Sequence, residues 1–360
     1  MQISITKKLS EKMKMIKLPP LKPTDGFFTW RANITQDGHC RLLVFMHEAS
    51  RYVLTIKRPL AKDFKHLPEL FRKTLIGTLL LEQINPAVIE RYLAEAGEIT
   101  FTANSGKEGT AWLNTACRNA WIGFHNTCDN ESLGAFASHI WIGTHNTEAH
   151  CKPVETFIKM LSRYEMPVKS STAYDLNVRL ELADTCAVRQ IRVPANITFT
   201  QLHKILQIAF CWHDYHLFRF CFYKGKFDYY TEPDVVLACA EDYYDPDPDT
   251  ILTHNIRLSD YLPKWQRCMY NYDFGDNWRH IIELTKVHEN YEGEMPLLLS
   301  GSGDAPPEDV GGPFGFEEFK QTIANPKDDE YESMIAWAEG QWWKPFNFDD
   351  TARNIKFALW

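Results

Sequence analysis

Hydrophobic residues in the first half of this chain follow two spacings. Short apolar runs at residues 41–45 and 52–56 read as strands. Between 67 and 84, Leu70, Phe71, Leu75, Leu79 and Leu80 recur with the period of a helix that buries one face. The next helix is punctuated at both ends. Asn85 can accept a bond from a first-turn amide, Pro86 suits the first turn, and Gly97 suits the exit. Ile99 and Phe101 then alternate with Thr100 and Thr102, the period of a strand. A further helix is predicted over 154–164, ending before Pro167 and bridging into the second half.

The second half opens on strands. Leu176, Val178, Leu180 and Leu182 alternate with Asn177, Arg179, Glu181 and Ala183, and residues 188–193 can pair with them as a hairpin. Thr198 can cap a helix whose inner face is Phe199, Leu202, Ile205, Leu206 and Ala209. Residues 217–223 form an aromatic strand. The stretch 243–249 holds two prolines among acids and reads as an acidic loop. Two strands, 269–274 and 278–284, flank the turn residues Gly275, Asp276 and Asn277. Proline and glycine dominate 305–315, and helices are predicted over 316–324, 329–339 and 348–359.

These patterns predict an α+β protein of two domains, each a mostly antiparallel or mixed sheet packed with helices. The expected boundaries are an N-terminal α/β domain over 1–150, a linking helix over 151–172 and a second domain over 173–360. The length of 360 residues agrees, at about 150 residues per domain.

Composition narrows the partners. Asp and Glu number 47 against 39 Lys and Arg, a formal net charge of −8, which disfavours a whole-surface nucleic-acid binder. No run of about 18 apolar residues exists, so no membrane span is expected. Lysines 7, 8, 12, 14 and 17 precede no apolar stretch of signal-peptide length. The nine cysteines are dispersed without a CxxC pair, as expected of reduced, mostly buried thiols in a cytoplasmic protein.

Trp121-Ile122-Gly123-Phe124-His125-Asn126-Thr127 recurs as Trp141-Ile142-Gly143-Thr144-His145-Asn146-Thr147. Two copies are too few for a solenoid, so a local duplication in a polar linker or loop is the simpler reading. His125, Cys128, His139, His145, His150 and Cys151 gather here, and zinc is the alternative reading, although their spacing matches no closed zinc site.

Three phrases in the second half occur in a telling order: Trp212-His213-Asp214-Tyr215-His216-Leu217-Phe218, then Tyr272-Asp273-Phe274-Gly275-Asp276-Asn277-Trp278-Arg279-His280, then Pro306-Pro307-Glu308-Asp309-Val310-Gly311-Gly312. From about Ala173 onward the chain resembles the plasmid pRiA4b ORF-3-like family. That resemblance implies an α+β domain common on plasmids and transposons, with no established activity. The family phrase usually reads His-Leu-His where this chain has His216-Leu217-Phe218. It often has cysteines where Ala305 and Val310 stand. The first half resembles a bacterial domain of unknown function through Thr100-Phe101-Thr102-Ala103-Asn104-Ser105 and Leu113-Asn114.

The strongest set of chemical groups is His213, Asp214, His216, Asp273, Asp276, His280, Glu308 and Asp309. Carboxylates with one or two imidazoles can hold magnesium, manganese or zinc and activate water for phosphodiester hydrolysis. The competing reading is structural. Asp276 and Asn277 suit a tight turn, Glu308 and Asp309 can satisfy loop amides near Gly311 and Gly312, and His280 alternates with Ile281 on a strand. No GxSxG, GxxxxGK[ST] or GxGxxG motif occurs. Gly311-Gly312-Pro313-Phe314-Gly315 reads as a helix entry. Trp342, Trp343, Phe346 and Phe348 are expected to pack in the core or between domains, and Phe218, Phe220 and Phe222 to face the core. The leading expectation is a non-catalytic binding or accessory module that contacts a protein or small ligand, between the domains or on the second one. The alternatives are a metal-dependent phosphodiesterase using the His/Asp/Glu set and a DNA-binding accessory factor.

Overall fold

A computed structural model describes the chain except for residues 16, 23–25, 128, 144–149, 184, 226, 228–230, 240–250 and 360. Contacts divide it into two units, Met1–Ser171 and Thr172–Leu359. The described residues form eleven α-helices and three sheets, a mixed α+β architecture. None of the described helices is long and apolar enough to cross a membrane.

The first unit runs β1 (Gln2–Ile5), α1 (Lys7–Lys12), β2 (Thr29–Asp37), β3 (Cys40–His47), β4 (Val53–Lys57), α2 (Leu67–Leu81), α3 (Pro86–Ala96), β5 (Thr100–Ala103), α4 (Lys107–Gly123), α5 (Asn130–His139), β6 (Ile142–Gly143), β7 (His150–Cys151) and α6 (Pro153–Leu161). Its main sheet has the order β4-β3-β2-β1-β5. β1 runs parallel to both β2 and β5, whereas β2, β3 and β4 are antiparallel. The run from Leu42 to Met46 is apolar at every position because both sheet faces are covered. Leu43 and Phe45 join Trp30, Phe71 and Phe157 on one side. Leu42, Val44 and Met46 meet Leu113, Ala120 and Leu133 on the other. The predicted cap on α3 forms, with the Asn85 side chain accepting the Ala87 amide at 3.0 Å.

Two expectations for this half need correction. The predicted bridging helix is α6, and Val154, Phe157 and Leu161 bury it in the first unit's own core. The expected polar linker contains α5, a packed helix. Its small residues let it lie close to β4: a Cβ on Gly134 would sit 3.1 Å from the Val53 carbonyl, and Ser138 Oγ accepts the Val53 amide at 2.9 Å. The duplicated phrase also takes different structures. Its first copy closes α4 and the second enters β6, while residues 144–147 lie outside the described residues. Cys128 and His145 lie outside them too. His139 pairs with Glu82 at 3.1 Å, and the described His125, His139, His150 and Cys151 form no metal-holding group.

The second unit runs β8 (Ser171–Glu181), β9 (Cys186–Pro194), α7 (Phe199–Ala209), β10 (Phe218–Phe222), β11 (Val235–Ala238), β12 (Ile251–Leu252), α8 (Leu258–Trp265), β13 (Arg267–Tyr272), β14 (Trp278–Tyr291), β15 (Leu297–Ser302), α9 (Gly312–Ala324), α10 (Tyr331–Gly340) and α11 (Phe348–Ile355). Its sheet has the order β12-β11-β10-β13-β14-β8-β9-β15. The predicted capping of α7 is complete: Thr198 accepts the Gln201 amide at 3.2 Å and the Gln201 side chain accepts the Thr198 amide at 2.9 Å. Phe199 packs on Phe220 at 4.9 Å between ring centres, and Phe218, Phe220 and Phe222 are buried as expected. The 243–249 loop lies outside the described residues.

The later aromatics divide. Trp343 donates from Nε1 to the Ala305 carbonyl at 2.7 Å, and Phe346 stacks under Arg189 at 3.6 Å. Trp342 and Phe348 are exposed, against the packing expected of them. Of the eight described cysteines, all free, Cys117, Cys221, Cys239 and Cys268 are buried, whereas Cys186 and Cys211 are exposed.

His280 sits fully inside this core. Register pairs it with Tyr270, and its ring lies 4.7 Å from Phe210 and 5.2 Å from Trp212. Nδ1 donates to the Tyr270 carbonyl at 3.3 Å, while Nε2 is buried without a hydrogen bond. Burial therefore pushes its pKa down to about 3, against weaker opposing backbone bonds. A depressed histidine stabilises the fold above its unfolded pKa of about 6.5, and the contribution is lost as pH falls toward 3. His280→Gln, which cannot titrate, is expected to flatten the acid side of the stability curve by up to about 1.4 kcal/mol per pH unit. Urea unfolding of both proteins between pH 7 and pH 4 measures this; parallel curves would assign the acid sensitivity to other groups.

Candidate functional site

Register brings the ends of three strands together. Phe218 pairs with Tyr272, and Tyr272 with Trp278, so the loop before β10 and the β13–β14 turn share one end of the sheet. The loop between β15 and α9 joins them through Trp212, whose Nε1 donates to the Pro306 carbonyl at 2.9 Å. The three phrases singled out in the sequence thus meet in space.

A buried knot fastens them. The Tyr272 hydroxyl donates to Glu308 Oε1 and accepts the Tyr215 amide at 3.1 Å. Glu308 Oε2 accepts the His213 amide at 3.0 Å. Glu308 is 2% exposed, so these donors replace the water its carboxylate has given up. Burial, with Glu308 alongside, pushes the Tyr272 pKa up, which keeps the donating proton in place.

The turn after β13 is built by its own side chains. Asp273 takes φ +55°, and its Oδ1 accepts the Gly275 amide at 2.9 Å, the bond that lets aspartate initiate turns. Asp276 Oδ2 accepts the Gly311 amide at 3.1 Å. The third loop comes so close that a Cβ on Gly312, itself at φ +73°, would lie 3.0 Å from the Asp276 carbonyl.

His216, Asp273 and Asp309 converge inside this frame. His216 Nε2 lies 3.2 Å from Asp309 Oδ1 and 3.7 Å from Asp273 Oδ2. One donor atom from each of the three lies within 4.8 Å of the others. Nε2 is shielded from solvent and makes no hydrogen bond of acceptable geometry, although two carboxylates face it. Asp273 is buried, His216 half-buried and Asp309 exposed, so the group is reachable from one side. One imidazole and two carboxylates suit a divalent cation of the magnesium, manganese or zinc type.

The other candidates go elsewhere. Glu308 and Asp276 serve the loop bonds just given, and His280 lies in the core. The His213 ring stacks on Tyr215 at 5.5 Å, with Nε2 3.1 Å from the Gln341 carbonyl. Asp214 accepts from His203 Nε2 at 2.6 Å and from Lys204 Nζ. Burial alone would raise its pKa, but those two partners hold it below the usual carboxylate range.

His203 was not anticipated from the sequence. It is buried, meets the Tyr270 hydroxyl at 2.7 Å through Nδ1, and stacks flat on Phe218 with ring centres 3.6 Å apart. Gln207 closes the network by donating to the same hydroxyl at 3.1 Å and accepting the Asp214 amide at 2.8 Å. The available signal was a histidine on the apolar face of a predicted helix, between Phe199 and Leu206. Phe218 therefore packs against His203 rather than among His216, Asp273 and Asp309, and its departure from the family phrase leaves that group intact.

Residues 2–156 match a domain of unknown function (DUF6933). "Uncharacterized protein y4hQ" of Sinorhizobium fredii (strain NBRC 101917 / NGR234) is 28% identical over 180 residues, covering 50% of this chain and 85% of that protein. Among solved structures, the protein of unknown function MM3350 from Methanosarcina mazei Go1 aligns with 31% identity and a TM-score of 0.42, over 50% of this chain and 97% of that one. Residues 172–352, half of the chain, match the plasmid pRiA4b ORF-3-like protein model, and with its three phrases joined at one end of one sheet the chain belongs to that family.

Proposed function

We propose that the second unit is a non-catalytic binding module that holds a divalent cation between His216, Asp273 and Asp309 and presents it to a protein or small-ligand partner. The observation that carries this reading is the buried His216 Nε2, which faces two carboxylates without a hydrogen bond. A cation there would satisfy all three groups at once. Asp273 is already oriented by its turn, and exposed Asp309 can adjust.

Binding is favoured over catalysis because the remaining acids and imidazoles of the three phrases have structural partners. A further acid or base would assist hydrolysis by a metal-bound water, and the three phrases hold none in reserve for that role. The surrounding surface suits recognition instead, since Tyr215, Phe274, Phe314 and Trp342 are all exposed on or beside these loops. Glu318 and Glu330 line a cavity with Asp309, and their charge opposes a phosphate backbone. The free thiols fit a reducing compartment, so we place the protein in the cytoplasm.

The second reading, a metal-dependent phosphodiesterase, draws on the same donor set. Calorimetric titration with manganese and with zinc is expected to show one site per chain. Asp309→Asn should weaken it by about tenfold or more while thermal unfolding of the metal-free protein stays unchanged, since that side chain is exposed. Absence of binding at millimolar metal would overturn the proposal. Manganese-dependent hydrolysis of bis-p-nitrophenyl phosphate, lost in Asp309→Asn, would establish the second reading instead.

The knot gives a separate prediction. Tyr272→Phe leaves Glu308 buried with one donor fewer, and is expected to lower stability by about 1–3 kcal/mol in urea unfolding and to weaken manganese binding. A change below about 0.5 kcal/mol would mean that the loops are held by other contacts.

A further inference from the structure

The first unit contains a cavity of about 520 Å³ beside the β3–β4 turn, bounded by α4 and the short β6 strand. That volume suits a ligand of one or two rings. Met46, Val53, Ala137 and Pro153 give it an apolar lining, and Trp112 and Trp141 add two indoles. Trp141 is 59% exposed, an unusual position for so large an apolar ring.

Arg51 reaches this cavity from the turn. Its backbone is at φ +62°, a conformation that glycine or asparagine adopts at lower cost. The guanidinium lies 4.1 Å from the Trp112 ring centre, and Nη1 donates to the Gly143 carbonyl at 2.7 Å. Burial lowers its pKa, against the opposing charges of Cys151 and Glu108 nearby. Lys152, outside the lining, lies 5.4 Å from the Trp141 ring centre and 4.0 Å from Glu155 Oε1, which leaves Arg51 as the cavity's cation. The exposed Glu108 lines the cavity as well, and its charge opposes a doubly charged anion more than a single one.

We propose that this cavity binds a small aryl carboxylate, with the ring against the two indoles and the apolar lining, and the carboxylate on the Arg51 N–H groups that Gly143 leaves free. A planar guanidinium fork matches a carboxylate in geometry and charge, and the indoles supply area for the ring. This site belongs to the first unit and is independent of the cation site.

The test is calorimetry on the full chain with 2-naphthoate and its uncharged counterpart 2-naphthamide. One site per chain is expected, with the amide about tenfold weaker or more. Arg51→Gln should raise the Kd for the acid by about tenfold or more and abolish the preference over the amide. Trp141→Ala, at an exposed position, should weaken binding by about fivefold with unchanged thermal unfolding. Should Arg51→Gln fail to fold, the comparison of acid and amide on the natural chain decides. Equal affinity for acid and amide, no heat from the acid at millimolar concentration, or a folded Arg51→Gln with unchanged affinity would overturn the proposal.

Discussion

The arrangement of the second unit's loops depends on one buried hydroxyl. Tyr272 ends a central strand with its ring stacked on Trp212 at 5.0 Å and its oxygen among three loops. There it donates to Glu308 and accepts the Tyr215 amide, while Glu308 reaches on to the His213 amide. A carboxylate that deep is tolerated only when its lone pairs are met, so the loops must close together around it. His216 and Asp309 are the immediate chain neighbours of this knot, at one residue from Tyr215 and one from Glu308. Their approach to Asp273 follows from it.

Much of this was legible in the sequence. Helical and strand periods placed β3, β4, α2, α3, β8, β9, α7, β13 and β14, since each has one or two buried faces with a regular period. Of the elements not anticipated, β2 and α4 carry the signal, in Trp30, Ala32 and Ile34 and in Leu113, Ala116, Cys117 and Ala120, whereas β1 and α5 lack it. β1 is four residues long and stands between β2 and β5 only through long-range pairing. α5 packs by means of Gly134, Ala135, Ala137 and Ser138, small residues that carry little hydrophobic contrast yet allow close approach to β4. α6 has a strongly apolar face, but its period could not say which core it joins.

The candidate cluster was legible as residues and not as a site. Eight groups were singled out, and three converge. The rest divide according to where their strands and turns point. His280 alternates into the core, where its imidazole is held neutral by burial. Asp214 turns back toward α7 to meet His203. Asp276 and Glu308 accept backbone amides, the commonest service of an acid in a loop. No spacing rule separates these roles, because they depend on register between β10, β13 and β14 and on a third loop some thirty residues away in the chain.

The same frame explains why the three converging groups satisfy one another poorly. A turn bond fixes Asp273, and β10 with the neighbouring amides fixes the backbone around His216, so neither can move far to improve the contact between them. The result is an imidazole nitrogen at 3.2 and 3.7 Å from two carboxylates, too poorly aligned to hydrogen-bond and too close for water to reach the nitrogen. Two carboxylates this close repel, and the repulsion is strongest where burial removes solvent screening. The divalent ion proposed above would relieve both defects without moving the backbone. Asp309 is the exposed member of the three, so the group is open to solvent on the side where the exposed Tyr215, Phe274 and Phe314 lie on the same loops.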